Sequence, residues 1–280
     1  MSVRHCRINT TGMTFLHITA AICCTCAFFC PTSFSSDAAS SGSRVVLVAP
    51  LYVSNDRFSS MLALANKTDN TVEVFVAFHS LEGDETARRP TTLAPHSSMS
   101  MDVDSVPMTQ HRFATLGSIS ILMASPVGKA LIGKLTIASR AGTGKIHIEE
   151  ELQPVEVNSG PLRVGSVPAS LSVPVLAIRS LNQLSQRISV ICSDNAGMSY
   201  ESHLLVPAHM TLLLNACIRG RSESRTYEQL LNGDTGPTRG DMTIKIKTAD
   251  PQWTIAVWGF AAANVGVDSG LQLVGIEFAD

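Results

Sequence analysis

Residues 62–79, LALANKTDNTVEVFVAFH, lie without a gap over residues 176–193, LAIRSLNQLSQRISVICS. The opening Leu-Ala coincides in the two stretches, and apolar residues then recur in register at every second position. A period of two puts alternate side chains on one face of a pleated strand, so Val72, Val74, Val76 and Phe78 form one inward row and Ile188, Val190 and Cys192 another. Three further blocks follow in the same order. Leu93 to His96 lies over Leu205 to Ala208, Gly117 to Ile121 over Gly240 to Ile244, and Ala130 to Ala138 over Trp253 to Ala261. Self-similarity of this kind is the signature of a duplicated structural unit.

Between the blocks the sequence is punctuated by turn residues. Asn66 to Asn70, Glu82-Gly83-Asp84, Pro95-His96, Ser125-Pro126 and Ala141 to Gly144 carry the Gly, Pro and small polar residues that reverse a chain. Met99, Met101 and Val103, and Ile119, Ile121 and Met123, continue the alternating pattern between them. Helical patterning is confined to Ser224 to Leu231 and a shorter stretch around Val106 to Phe113. Short strands at near-regular spacing with no alternating helices predict an all-β protein of two tandem antiparallel β-sandwiches, with a single larger barrel as the alternative. The expected domains are residues 44–158 and 159–280. Their join falls within Glu156 to Pro168, where Val-Asn-Ser-Gly-Pro breaks the strand pattern and Pro161 stiffens the link.

On these blocks the chain resembles exported bacterial proteins built from tandem immunoglobulin-like sandwich repeats, over roughly residues 45 to 280. The resemblance implies fold and not activity. The Cys…Trp…Cys spacing of antibody domains is absent.

Residues 1–43 read differently from the remainder. Arg4, His5 and Arg7 precede an uncharged run from Met13 to Phe29, followed by the small polar stretch Ser35 to Ser43, which is the layout of a secretory signal. Ser36 and Ala38 suit cleavage before Ala39. The apolar run of about 17 residues is at the short edge of a bilayer span, so a retained N-terminal membrane anchor fits it as well. Either outcome places the remainder outside the cytoplasm: in the periplasm, on the cell surface or secreted. Five of the seven cysteines lie in this leader, which makes Cys23-x-x-Cys26 a feature of the signal core. Cys192 and Cys217 remain, and an oxidising compartment permits a bridge between them. Their strand phases oppose it, because Cys217 falls one residue out of step with Met210, Leu212 and Leu214.

With 45% hydrophobic and 16% charged residues and a net charge of −2, the chain has ample core and no basic excess for nucleic acid. The catalytic signatures G-x-S-x-G and H-E-x-x-H are absent. Gly142-Thr143-Gly144-Lys145 lacks the spacing of a phosphate loop and reads as a hairpin turn. His147 and Glu149 share one strand face, and Asp102 and Asp104 flank Val103; both pairs are weak metal candidates, and each is too small a set for a site. Arg239-Gly240-Asp241 reads as the start of a strand, and Asn66-Lys67-Thr68 is a glycosylation acceptor pattern. With two Trp and three Tyr in all, a sugar-stacking site would have to centre on Trp253 and Tyr227, whereas Trp258 beside Phe260 reads as core. No residue pattern names a cofactor. The expected function is a non-enzymatic extracytoplasmic structural or interaction module for adhesion or assembly, partnered by a protein or cell-envelope component. A carbohydrate- or other ligand-binding module and an exported hydrolase are the alternatives.

Overall fold

The computed structural model describes residues 44–56, 58–108, 116–124, 131–140, 146–155, 162–168, 175–195, 197, 199–215, 241–249, 254–263, 272–276 and 278–279. The chain divides into Met1–Ala38 and Ala39–Asp280, and every described residue belongs to the second unit. That unit is all-β. Its described residues form antiparallel strands and one 3-10 turn at Val103–Ser105, with no helix long and apolar enough to cross a membrane.

The strands are β1 (Arg44–Val53), β2 (Phe58–Asn66), β3 (Val72–Ser80), β4 (Glu85–Leu93), β5 (Ser98–Asp102), β6 (Leu116–Met123), β7 (Leu131–Ser139), β8 (Ile146–Glu151) and β9 (Gln153–Pro154), then β10 (Leu162–Val167), β11 (Val175–Ser180), β12 (Gln186–Asp194), β13 (Ser199–Val206), β14 (Thr211–Asn215), β15 (Met242–Thr248), β16 (Ile255–Ala263), β17 (Gln272–Ile276) and β18 (Phe278–Ala279). They make four sheets. Sheet A runs β4-β3-β6-β1-β9 and sheet B β5-β2-β7-β8; sheet C runs β13-β12-β15-β10-β18 and sheet D β14-β11-β16-β17. Adding nine to each strand number converts A into C and B into D.

The apolar alternation decides what each sheet encloses. Val72, Val74, Val76, Phe78, Ile119, Ile121 and Met123 from sheet A share a core with Leu62, Leu64, Leu135 and Ile137 from sheet B. Leu176, Ile178 and Val257 from sheet D share a second core with Ile188, Val190, Cys192, Ile244 and Ile246 from sheet C. Two sheets closed over a shared apolar layer are a sandwich-like arrangement. At the centre of the first core Tyr52 meets Phe78 edge to face, with ring centroids 6.1 Å apart. Burial pushes its phenol up to about 12.

Strand pairing corrects two of the sequence matches by one residue and a third by two, since Val76 pairs with Ile121 and Val190 with Ile246, so that Ile121 corresponds to Ile246 and not to Ile244. Leu62 pairs with Leu135, and Leu176 pairs with Gly259, so Leu135 corresponds to Gly259 and not to Trp258. A one-residue slip exchanges the faces of a strand. Trp258 is buried, as expected of core, but on the face opposite Ile255 and Val257. Likewise the left-handed residues are His96 (φ 51°) and His209 (φ 59°), which sit at equivalent places in the β4–β5 and β13–β14 turns. His96 therefore corresponds to His209, and the shared Leu-x-Pro spelling is one residue out of register with the backbone. The stretch from 109 to 113, the Ser224 to Leu231 segment and residues 156–161 of the expected join lie outside the described residues. At Val106 to Met108 no helix forms.

Part of the outer face of sheet A is buried, where its residues are small. Ala77, Ser118, Ser120 and Val48 are covered by sheet D, whose outer residues Ala177, Trp258 and Phe260 join the first core. Trp258 and Phe260 meet edge to face at 6.3 Å. Polar clasps close this seam. The Gln153 carboxamide donates to the Val257 carbonyl and accepts from the Val257 N–H at 2.8 Å, imitating a neighbouring strand where the β16–β17 ladder has not yet begun. The Thr211 N–H donates to the Leu81 carbonyl at 2.8 Å. Gly83, at φ +97°, lies so close that a Cβ there would stand 2.6 Å from the His209 carbonyl oxygen.

Candidate functional site

The outer face of sheet C corresponds to the buried face of sheet A, and it carries charge instead. Along β12 the residues alternating with Ile188 and Val190 are Arg187 and Ser189; along β15 those alternating with Ile244 and Ile246 are Lys245 and Lys247. Pairing brings Ser189 opposite both His203 and Lys247, and Arg187 opposite Leu205. These side chains line a groove of about 670 Å³ that reaches Ala249. Its walls are basic, with Arg187, His203 and Lys247 among the lining residues, and Leu205 on the rim is 58% exposed. β13 is the edge of the sheet, so the groove lies beside unpaired backbone.

Within the groove the Ser189 hydroxyl and His203 Nδ1 are 2.8 Å apart. A serine beside an imidazole is the first half of a nucleophile-and-base arrangement. The second half is a group that orients the ring, and among the described residues no carboxylate bonds to His203.

The residues expected from sequence fall elsewhere. Trp253 and Tyr227 lie outside the described residues. Asp102 accepts the Asp104 N–H at 3.0 Å and caps the 3-10 turn, while Asp104 takes the Ser54 hydroxyl and the Arg140 guanidinium. Both carboxylates are thus engaged by neighbouring donors. Glu149 is ion-paired with Lys134 across β7 and β8; the side chain of His147 lies outside the described residues. Among the described residues no three His, Cys, Asp or Glu side chains converge as a metal site would require. Cys192 is buried and disulfide-bonded, and Cys217 lies outside the described residues.

Asn66 overturns the glycosylation reading. Its carboxamide is buried, with Nδ2 donating to the carbonyls of Asn70 (2.7 Å), Ala94 (3.0 Å) and Leu93 (3.2 Å), and Oδ1 accepting the Thr68 N–H at 2.9 Å and its hydroxyl at 2.7 Å. An amide spent on holding two turns together presents no nitrogen to a glycan donor. Of Arg239-Gly240-Asp241 only Asp241 is described, where it accepts from Asn195 Nδ2 at 3.3 Å.

The groove was visible in sequence only as outward positions of alternating strands. Nothing local distinguishes Arg187 or Lys247 from any solvated charge, because register between distant strands is what gathers them. Compared with protein-family models, with curated proteins and with solved structures, the chain matches none.

Proposed function

We propose that the protein is a non-enzymatic, extracytoplasmic structural or interaction module of two tandem immunoglobulin-like sandwiches, engaging an acidic extended polypeptide segment along β13 and the groove of sheet C. The observation that carries this reading is the contrast between two corresponding faces. Ser118 and Ser120 of sheet A are buried under sheet D, whereas Lys245, the counterpart of Ser120, is exposed on sheet C with Arg187 and Lys247. In stacked repeats a charged outer face ends the stack and keeps it soluble. An open edge beside a basic groove suits strand addition by a segment whose acids face Arg187 and Lys247. The central pairs β2–β5 and β3–β6 support the immunoglobulin-like reading, and the outer strands depart from it by trading places. β1 lies beside β6 and β7 beside β2, where antibody domains place their last and first strands respectively.

Crosslinking on intact cells, comparing the native chain with an Arg187→Glu, Lys247→Glu variant of unchanged circular dichroism, tests the partner surface. A crosslinked species present with the native chain and lost with the variant supports it, and one indifferent to the charge reversal removes it. Fractionation with intact-mass analysis tests the compartment. A species beginning near Ala39, or a membrane-bound species of full mass, agrees with export, and a cytosolic chain of full mass overturns it.

The hydrolase reading is kept by one observation, the Ser189–His203 hydrogen bond. A fluorophosphonate probe decides it: labelling abolished by Ser189→Ala would make the groove an active site, and no labelling leaves a binding face.

A further inference from the structure

Arg179 is the least expected residue of the seam. On β11 it follows Ile178, which enters the second core, so its side chain leaves the opposite face toward sheet A. There it is 3% exposed. Its Nη1 donates to the Ser118 hydroxyl, and its Nε–H makes no hydrogen bond. Among the described residues no carboxylate reaches it. Burial alone lowers the guanidinium to about 10, which still leaves it a cation at neutral pH.

The groups gathered around it include hydroxyls that are free to donate. Thr211 is the direct partner of Arg179 across β14, and Ser118 is the direct partner of His79 across β3, with Ser120 two residues along the same face of β6. The Thr211 and Ser120 hydroxyls and His79 Nδ1 are all buried without a hydrogen bond. The titratable groups around His79 are Arg179, Arg88 and His209 together with Glu85, its direct partner across β4, and both oxygens of Glu85 are taken by Arg88 at 2.8 and 2.6 Å. Burying a lone charge is tolerated only where another charge compensates it. Buried polar groups likewise require partners. Hydroxyls can turn their hydrogens toward an acceptor, and a guanidinium has only donors to offer.

We propose that the seam binds a small monovalent inorganic anion of halide size, held by Arg179 Nε–H and the hydroxyls of Ser120 and Thr211. One positive charge calls for one negative charge, and because Ser118, Ser120, Thr211 and Arg179 are all buried, a group that must keep its hydration shell is disfavoured there. The anion is structural: it bridges sheets A and D and fixes one sandwich against the other. This inference does not rest on the partner assigned to the sheet C groove.

The experiment follows thermal unfolding of the whole chain in sodium bromide, sodium chloride and sodium gluconate at equal ionic strength, with crystals grown in bromide as the second measurement. Halide binding to the folded state raises Tm, by about 5 °C at a hundredfold excess over Kd, and gluconate does not. Arg179→Leu, which removes the charge and the need for its partner, abolishes the halide dependence. Anomalous scattering places bromide beside Arg179 Nε. A Tm rise equal in gluconate, a halide dependence that survives Arg179→Leu, or bromide absent from the seam would each overturn the proposal.

Discussion

Truncation of Trp258 to Ala tests the seam most directly. Trp258 is 3% exposed and belongs to β16, yet it clusters with buried residues of sheets A and B across the seam. An aromatic side chain of this kind buries roughly 150–250 Å², worth about 4–6 kcal/mol at 25 cal/mol per Å². Measured truncations of buried Phe and Trp cost about 3–5 kcal/mol, so about 4 kcal/mol is expected. The edge contact with Phe260 lies within that figure, and a double-mutant cycle with Phe260→Ala should return a coupling of about 0.5–1.5 kcal/mol. Urea unfolding followed by circular dichroism measures the loss. If the seam makes the two pairs of sheets unfold as one, the native chain gives a single transition. The variant then shows a lower midpoint, or a split into two transitions as the coupling is lost. Leu205→Ala, at an exposed position, is the control and should change stability by less than about 0.5 kcal/mol. A loss below about 1 kcal/mol for Trp258→Ala would mean that the residue is solvated and that sheet D does not cover sheet A.

Burial first, and then the Arg179 charge, push the His79 imidazole down to about 3, against a Gly83 backbone bond that raises it. The folded state refuses a proton that the unfolded chain accepts below about 6.5. This contribution is therefore complete above pH 6.5 and is lost at up to about 1.4 kcal/mol per pH unit as pH falls toward 3. Unfolding midpoints between pH 6.5 and 5, before most carboxylates titrate, should fall for the native chain and flatten in His79→Gln; equal slopes would refute the assignment. A Cβ at Gly117 would stand 2.0 Å from the His79 carbonyl oxygen and 2.7 Å from the Tyr52 ring, so Gly117→Ala should destabilise by several kcal/mol, about 2 or more, or prevent folding, as read by soluble yield and calorimetry. Asn66→Ala strips five hydrogen bonds from the two turns and should cost about 2–4 kcal/mol, whereas expression in a glycosylating host should leave the intact mass unchanged at this site. Pairing of Cys192 with Cys217 would close a loop of about 26 residues, worth about 3 kcal/mol, and peptide mapping without reduction should recover the two in one fragment.

The alternation in β3, β6 and β12 made the strands, their inward faces and the all-β class readable from the chain itself. Period-two burial is a local property, written in neighbouring residues. Even the repeat of strand order was foreshadowed by Leu62-Ala63 over Leu176-Ala177. The matches that failed were those in which side-chain spelling competed with backbone geometry. At His96 and His209 the left-handed turn sets the register. Along β16 a one-residue slip exchanged the faces of Trp258.

The sheet C groove and the seam lay beyond local reading for a common reason. Arg179 sits one residue after an inward Ile, a position that sequence assigns to solvent, and Ser118 and Ser120 look like the polar face of a half-exposed strand. Only the packing of sheet D over sheet A buries them. Burial then turns an ordinary arginine into an uncompensated charge and leaves the Ser120 hydroxyl without a partner. By the same logic Arg187 and Lys247, at the same kind of outward position, remain exposed because no sheet among the described residues covers them. Strand phase is decided by adjacent residues, while the choice between solvent and seam is decided by which sheet arrives on the other side.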